Sequence, residues 1–559
     1  MPKTSLTHPI RIDDVAVPGT TGAIGMTFCP GKVQKNPLSG GSWERDLGMD
    51  MRAIEAWGAK ALVSLMEEHE FEELLVSDLP MFVPQKMQYF RLPIPDGGVP
   101  GIEWEREWEK TAPILWKLLM NGQKIVIHCK GGLGRTGLLA ARLLVEFGLP
   151  PEDAMKAVRK ARPGAIETRN QEAFVRRQSP IRGLGLNKPY HRIDQDKSNR
   201  YRGCLLAGAV GDALGAPVEF LSLQEIRHRF GAGGIRDFVP AYGRVGAITD
   251  DTQMTLFTAE GLLRAHVRGS TRGICHLPGV VHHAYLRWLK TQGENPAKQE
   301  IGLDGWLFTH RELFSRRAPG TTCLMGLKAS TAFGDPAIND SKGCGGVMRA
   351  APLGLMAATY DRSIKYTFTE GCEIAALTHG HPTGQLPSGV LAVLIQELVG
   401  GGSLEIALAT AKRFLIGQLQ HEETLAAIEQ AEQLAQSVEP ADACLAKLGQ
   451  GWVAEEALAI ALFCALRAKS LEEGIVMAVN ITGDSDSTGS IAGNILGAMV
   501  GMDKIPARWL EPLELKDVIL ELADDLATFN KWPLSSGYCE RSIEDAVEED
   551  YWCNRYPGW

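Results

Sequence analysis

The hydrophobic positions change period partway along the chain. Before about residue 177, short apolar runs such as Ala61–Leu65 and Lys124–Ile127, bounded by polar residues or glycine, read as buried strands. They alternate with helical spacing over Leu138–Phe147 and Pro151–Lys160, the second opening on a proline and acidic residues. Such alternation predicts a parallel-rich α/β sheet. From Tyr201 onward the period is helical almost throughout: Tyr201–Ala213, Thr252–His266, Gly389–Val399, Leu404–Leu415, Glu422–Ala435, Glu455–Ala468 and Ile491–Val500. Alternation of β-branched residues is scarce there, which predicts an all-α fold. Ala492, Gly493, Gly497 and Ala498 would let two of these helices approach closely. Between the two textures, 178–200 is polar with prolines and glycines and reads as a linker. The expected organisation is multidomain, with an α/β region over 1–177, a linker over 178–200 and an all-α region over 201–559.

Composition narrows the function classes. The chain has 559 residues, 45% hydrophobic and 22% charged, which is ordinary globular material with room for several cores. A formal net charge of −9 argues against general nucleic-acid binding. Any anionic substrate must therefore be drawn by local arginines and backbone amides. No apolar run is long enough to span a membrane. The first 14 residues lack a charged-then-apolar leader pattern. Eleven cysteines, an odd number without CxxC repeats, fit reduced thiols and predict a cytoplasmic location.

The segment KIVIHCKGGLGRTG, Lys124 to Gly137, is a strand, a glycine-rich loop and the start of a helix. A cysteine at a strand end, facing a helix N-terminus and an arginine, has its thiolate favoured over the thiol. Lys130, Gly131, Gly132, Leu133 and Gly134 form the loop whose backbone N–H groups can cradle an anion. Arg135 adds a planar fork for two phosphate oxygens, and Thr136 can donate to the sulfur as it leaves. Thiolate attack on phosphorus needs a proton donor for the departing alcohol. Asp96, in the turn-rich LPIPDGG, supplies that carboxyl and would later act as base for the hydrolytic water.

The helical region carries two paired-carboxylate motifs, AITDDT around Thr249, Asp250 and Asp251, and TGDSDST around Asp484, Asp486 and Ser487. Either alone reads as a capped helix start. Together they offer an all-oxygen site for hard divalent ions, whose charge would offset the mutual repulsion of the carboxylates. Asp484–Thr488 also fits the DxDxT pattern of haloacid-dehalogenase phosphatases. That motif opens its domain, and too little chain follows it here, so this reading is excluded.

HCKGGLGRTG has the HCxxGxxR form of the protein tyrosine and dual-specificity phosphatases. PIPDGGVP, WERDLGMDM and RPGAIETRNQEAF resemble segments of the cyclin-dependent kinase-associated phosphatase family. This resemblance implies the roles given for Cys129, Arg135 and Asp96. It also suggests that Gln171 helps to place the hydrolytic water, and it implies no cofactor. YRGCLLAGAVGDALGAPVEF, TDDT, CGGVMRAAPLG, THGHP and GDSDSTGSIAGN resemble, in order, the ADP-ribosylglycohydrolases. The nearest likeness is to their dinitrogenase reductase-activating type, whose members cleave ADP-ribose from arginine.

The second resemblance implies an all-α fold holding two Mg²⁺ or Mn²⁺ ions on Thr249, Asp250, Asp251, Asp484, Asp486 and Ser487. It places Glu219 on a loop over the site. Gly345, Gly346, Met348 and Arg349 fall in a substrate loop, and His379 on the ribose or phosphate side, where a structural histidine is an equal expectation. The expected substrates are an ADP-ribosylated protein or ADP-ribose-containing small molecule, and a phosphorylated protein or small phosphate. An alternative reading makes the first domain a silent phospho-partner binder that delivers the second.

Overall fold

Five strands order the first unit: β1 (Asp13–Ala16), β2 (Ala23–Phe28), β3 (Ala59–Ser64), β4 (Gln88–Arg91) and β5 (Lys124–Cys129), in the spatial order β1-β2-β5-β3-β4. Only β1 is antiparallel to its neighbour. The period-two pattern of β5 explains its central place. Ile125 and Ile127 enter one core cluster with Met26, Val63 and Leu139, while Val126 enters a second with Leu62, Met51 and Ile54. In register, Cys129 lies opposite Phe28 and His128 opposite Ser64. The nucleophile candidate thus stands at the carboxyl edge of parallel strands, where α/β sheets place ligands.

The computed structural model describes residues 2–35, 41–181, 191, 194–298, 300–535 and 542–558. The expected linker lies in part outside the described residues, at 182–190 and 192–193. The helix expected from Tyr201 starts earlier, at Gln195, because the Asp194 side chain accepts hydrogen bonds from the Asp196 and Lys197 N–H groups. The chain divides into two compact units, and 542–551 of the tail groups with the first of them. There Val547 packs against the sheet's core. No helix of the described residues is long and apolar enough to cross a membrane.

The second unit is built of helices, as its period implies. Helix Gln195–Gly215 packs along helix Ser485–Val500, glycine against backbone. A Cβ on Gly493 would stand 2.0 Å from the Ala207 carbonyl oxygen, and one on Gly211 the same distance from that of Gly489. These positions admit no side chain, and the contact sets the ends of both helices together. Asp212 thereby meets the start of the second helix, where Asp484 is the N-cap and Asp486 follows. Near the chain end Trp532, Trp552 and Tyr556 stack, with Trp532 and Trp552 centroids 3.7 Å apart, as core packing rather than a ligand site.

Candidate active sites

In the first unit the loop after β5 wraps the cysteine. Gly132, at φ +75°, donates its N–H to Cys129 Sγ at 3.1 Å, and a Cβ there would stand 2.3 Å from the Thr27 carbonyl oxygen. Only glycine fits that turn. Arg162 donates from Nε to the Gly132 carbonyl, tying the loop to Asp13, with which Arg162 also pairs. Helix Gly134–Glu146 starts in this loop, with Leu133 as its N-cap, so its positive end lies within five residues of Cys129 along the chain. Lys130 turns to Glu73 at 2.7 Å. Thr136 is buried, and its Oγ1 has no hydrogen-bond partner among the described residues.

Arg135 is 2% exposed and held in a fork by Glu70, at 2.6 and 2.8 Å. It also donates to the Ile94 carbonyl at 3.0 Å and reaches Asp96 at 2.9 Å. Burial works against the Glu70 charge, but the bonds from Arg135 and from the Glu67 N–H hold its carboxyl below the ordinary range. Asp96 is 73% exposed, its carboxylate paired with Arg135 on one side and open to solvent on the other. Gln171 is fully buried: its Oε1 accepts from the Glu167 N–H at 2.9 Å and its Nε2 donates to the Gly98 carbonyl at 3.2 Å. It therefore links the Asp96 loop to helix Arg169–Arg176. His128 is buried with both ring nitrogens unpartnered among the described residues, and burial pushes its pKa down to about 3. Sequence spacing gave no hint of Glu70, which lies on a short helix 65 residues from Arg135.

In the second unit Asp250, Asp251, Asp484, Asp486, Ser487, Glu219, Gly345, Met348 and His379 line one cavity of about 350 Å³. Thr249 caps helix Asp250–Arg272 beside it. Asp212 organises that corner, accepting from the Thr249 N–H at 3.0 Å, the Thr252 N–H at 3.1 Å and the Thr252 hydroxyl. In the sequence Asp212 is a lone carboxylate in a Gly/Ala/Leu-rich helical segment, which is the one signal that marks it. Asp250 Oδ2 accepts from the Gly320 N–H at 3.1 Å, and Ser487 N–H donates to Asp486 at 3.0 Å. Arg349 is buried and spent on Thr378 and the sulfurs of Met254 and Cys323. His379 Nδ1 bonds the Thr378 hydroxyl at 2.8 Å. A Cβ on Gly345 or Gly346 would crowd Cys323 or the Gly384 carbonyl. At the cavity mouth Phe220 stacks on Trp452, ring centroids 5.3 Å apart.

The electrostatics of this cavity are one-sided. Burial first, then Asp486, raises Asp212 to about 7. Burial and the charges of Asp486, Asp484, Asp250 and Asp212 raise Glu219 to about 10. Asp251 is pushed far up by burial and then by Asp486, Asp250, Asp212 and Asp484. Asp251 Oδ2 and Glu219 Oε2 have no hydrogen-bond partner among the described residues. Among those residues no three His, Cys, Asp or Glu side chains are already drawn into metal-holding geometry. The donor types nevertheless fit hard divalent cations: carboxylates with two hydroxyls, unclaimed oxygens and mutual repulsion.

Fold and site together define two classes in series, a cysteine-loop phosphatase domain of the dual-specificity type and a helical glycohydrolase. The family model for ADP-ribosylglycohydrolase matches residues 193–533, and the chain belongs to the ADP-ribosylglycohydrolase family. A second model, "Swiss Army Knife protein, DSP-PTPase phosphatase domain", matches 32–175. The chain is 25% identical to the ADP-ribosyl-[dinitrogen reductase] glycohydrolase of Rhodospirillum rubrum over 328 residues, 57% of this chain and 91% of that one. It is 24% identical to the ADP-ribosylarginine hydrolase Tri1 of Serratia proteamaculans over 348 residues, 61% of this chain and 82% of that one. Over a stretch of 88 residues the chain is 44% identical to the cyclin-dependent kinase inhibitor 3 of Rattus norvegicus, 15% of this chain and 39% of that one.

Proposed function

We propose that the chain is a bifunctional hydrolase: a cysteine-dependent phosphomonoesterase joined to a divalent-metal glycohydrolase that releases ADP-ribose, from arginine in the first instance. The observations that support it are one pairing in each unit. Arg135, six residues after Cys129, touches Asp96, and the paired aspartates line one cavity with Glu219. The names of the two bacterial relatives support the ADP-ribosyl substrate, and that of Tri1 the arginine linkage.

At the first site the Cys129 sulfur forms a bond to phosphorus while the ester oxygen leaves, taking the Asp96 proton. Arg135 and the loop N–H groups hold the phosphoryl oxygens, and Glu70 holds Arg135 in register. Asp96 then accepts a proton from water, whose oxygen attacks phosphorus and returns the sulfur as thiolate. At the second site Thr249, Asp250, Asp251, Asp484, Asp486 and Ser487 would hold the ions, which supply Lewis acidity and water activation when bound. Asp212 fixes Thr249 and the first turn of its helix; Glu219 lines the same cavity as the aspartates, and Gly345 reaches its wall, whereas Gly346 is packed against the Gly384 carbonyl away from it.

The test is a panel of ADP-ribosyl peptides with arginine or serine linkage, run with Mg²⁺, Mn²⁺ or chelator. Release from arginine that chelator stops agrees with the reading. Release from serine alone would overturn the arginine assignment, and release unaffected by chelator would overturn the metal assignment.

A further inference from the structure

Cys344 brings a soft atom into a cavity whose other donors are oxygens. It opens the 3₁₀ turn Cys344–Arg349, and its backbone is fixed on both sides. Gly343 bridges Val453, and the Cys344 N–H donates to the Trp452 carbonyl at 3.2 Å. Its Sγ consequently stands 2.8 Å from Asp484 Oδ2, to which the thiol donates, and 3.6 Å from Ser487 Oγ. Asp251 lines the same cavity; it is 2% exposed, and its Oδ2 has no hydrogen-bond partner among the described residues.

Thiolate donors select thiophilic ions, whereas carboxylates and hydroxyls suit Mg²⁺ and Mn²⁺. Across one tetrahedral ion a sulfur and a carboxylate oxygen sit about 3.6 Å apart, from the usual bond lengths. The Cys344–Asp484 contact would need to open by less than about 1 Å to admit such an ion. We propose that Cys344 and Asp484, already in contact, nucleate a site for a thiophilic divalent ion, Zn²⁺ or Cd²⁺, that takes over the glycohydrolase centre from the hard ion. Asp251 of the same cavity completes it by moving in, since no three such side chains stand in metal-holding geometry among the described residues. Binding breaks the Cys344 S–H bond; the sulfur's electron pair goes to the ion and the proton to solvent. The inference rests on reading Asp484 as a metal donor, but its test does not depend on turnover.

Full-length protein carrying Cys129→Ser and Cys275→Ser, which removes the candidate nucleophile and the exposed thiol among the described residues, is titrated with Cd²⁺ while the ultraviolet thiolate-to-cadmium band is followed. The expected result is a saturable band that disappears on adding Cys344→Ser or Cys344→Ala, with Cd²⁺ affinity falling at least about tenfold. In parallel, Cd²⁺ should release bound Mn²⁺, read by the rise of the free-ion electron paramagnetic resonance signal. A band unchanged in both Cys344 variants, or no band at all, overturns the proposal. Failure of the underlying metal reading looks different: Mn²⁺ would not bind the protein, or would bind equally well to Asp250→Ala.

Discussion

The two sites solve opposite electrostatic problems. Around Cys129 the chain has built a cradle for an anion and balanced its own charges, since buried Arg135 is matched by buried Glu70 and reached by Asp96. Around Asp250 and Asp486 it has gathered anions, and every side chain that raises Asp251 is another carboxylate. A buried cluster of like charges persists only if protons or cations share it. The first site is therefore shaped before its ligand arrives, while the second is shaped around positive charge that its side chains do not supply.

The contrast breaks most visibly at the carboxylates. Asp486→Ala is expected to abolish measurable Mn²⁺ binding, while Cys129→Ser leaves it unchanged; calorimetry checks both. In wild type, chelation should lower the melting temperature of the second unit by about 3–5 °C, from the free energy of ion binding at concentrations well above Kd. The sign with pH follows from the raised carboxylates. Asp212 at about 7 and Glu219 at about 10 bind protons in the folded state that the unfolded chain has released above about 4. Stability of the ion-free unit thus falls as pH rises through that window. The loss on chelation should be larger near pH 7.5 than near pH 5.5, since protons stand in for ions at the lower value. A loss that is the same at both would contradict the shared-charge account.

At the first site the sharper probe is Glu70→Gln. It keeps the shape but removes the charge that forks Arg135, and kcat/KM on a phosphate ester should fall about 10- to 100-fold through misplacement of the guanidinium. An unchanged value would mean that the loop alone positions Arg135. The smallest effect concerns His128, whose pKa of about 3 lies below its unfolded value of about 6.5. Between those values the unfolded chain takes up a proton that the folded one refuses, so stability is lost as pH falls from 6.5. At pH 5 the loss should be about 2 kcal/mol and absent in His128→Gln. Native-state hydrogen exchange of the Lys124–Cys129 amides, corrected for intrinsic rate, reads it.

How legible each site was in the sequence follows from its geometry. The cysteine loop is contiguous, so strand, glycines, arginine and helix were readable as one string, and Asp96 followed from the need for an acid. Glu70 was not, because a salt bridge across 65 residues leaves no spacing to read. The paired aspartates announced themselves by repetition, and the small residues at Gly493 and Gly497 foretold the close helix contact that brings Asp212 beside them. Which residues fill the rest of the cavity, Cys344, Phe220 and Trp452 among them, depends on how five further stretches of chain fold back beside the aspartates. The α/β and all-α divisions were legible from periodicity, whereas the grouping of 542–551 with the first unit was not, since that short polar helix carries no signal of its partner.

The central claim is that two independent hydrolytic sites reside in one chain. It is tested most directly by assaying wild type, Cys129→Ser and Asp250→Ala in parallel on a phosphate ester and on an ADP-ribosyl-arginine peptide, each with and without chelator. The account predicts a crossover. Cys129→Ser should lose at least about 10⁴-fold on the ester alone, Asp250→Ala a comparable factor on the peptide alone, and chelator should reproduce only the second. Loss of both activities from either substitution, or the absence of ester turnover in wild type, would contradict it.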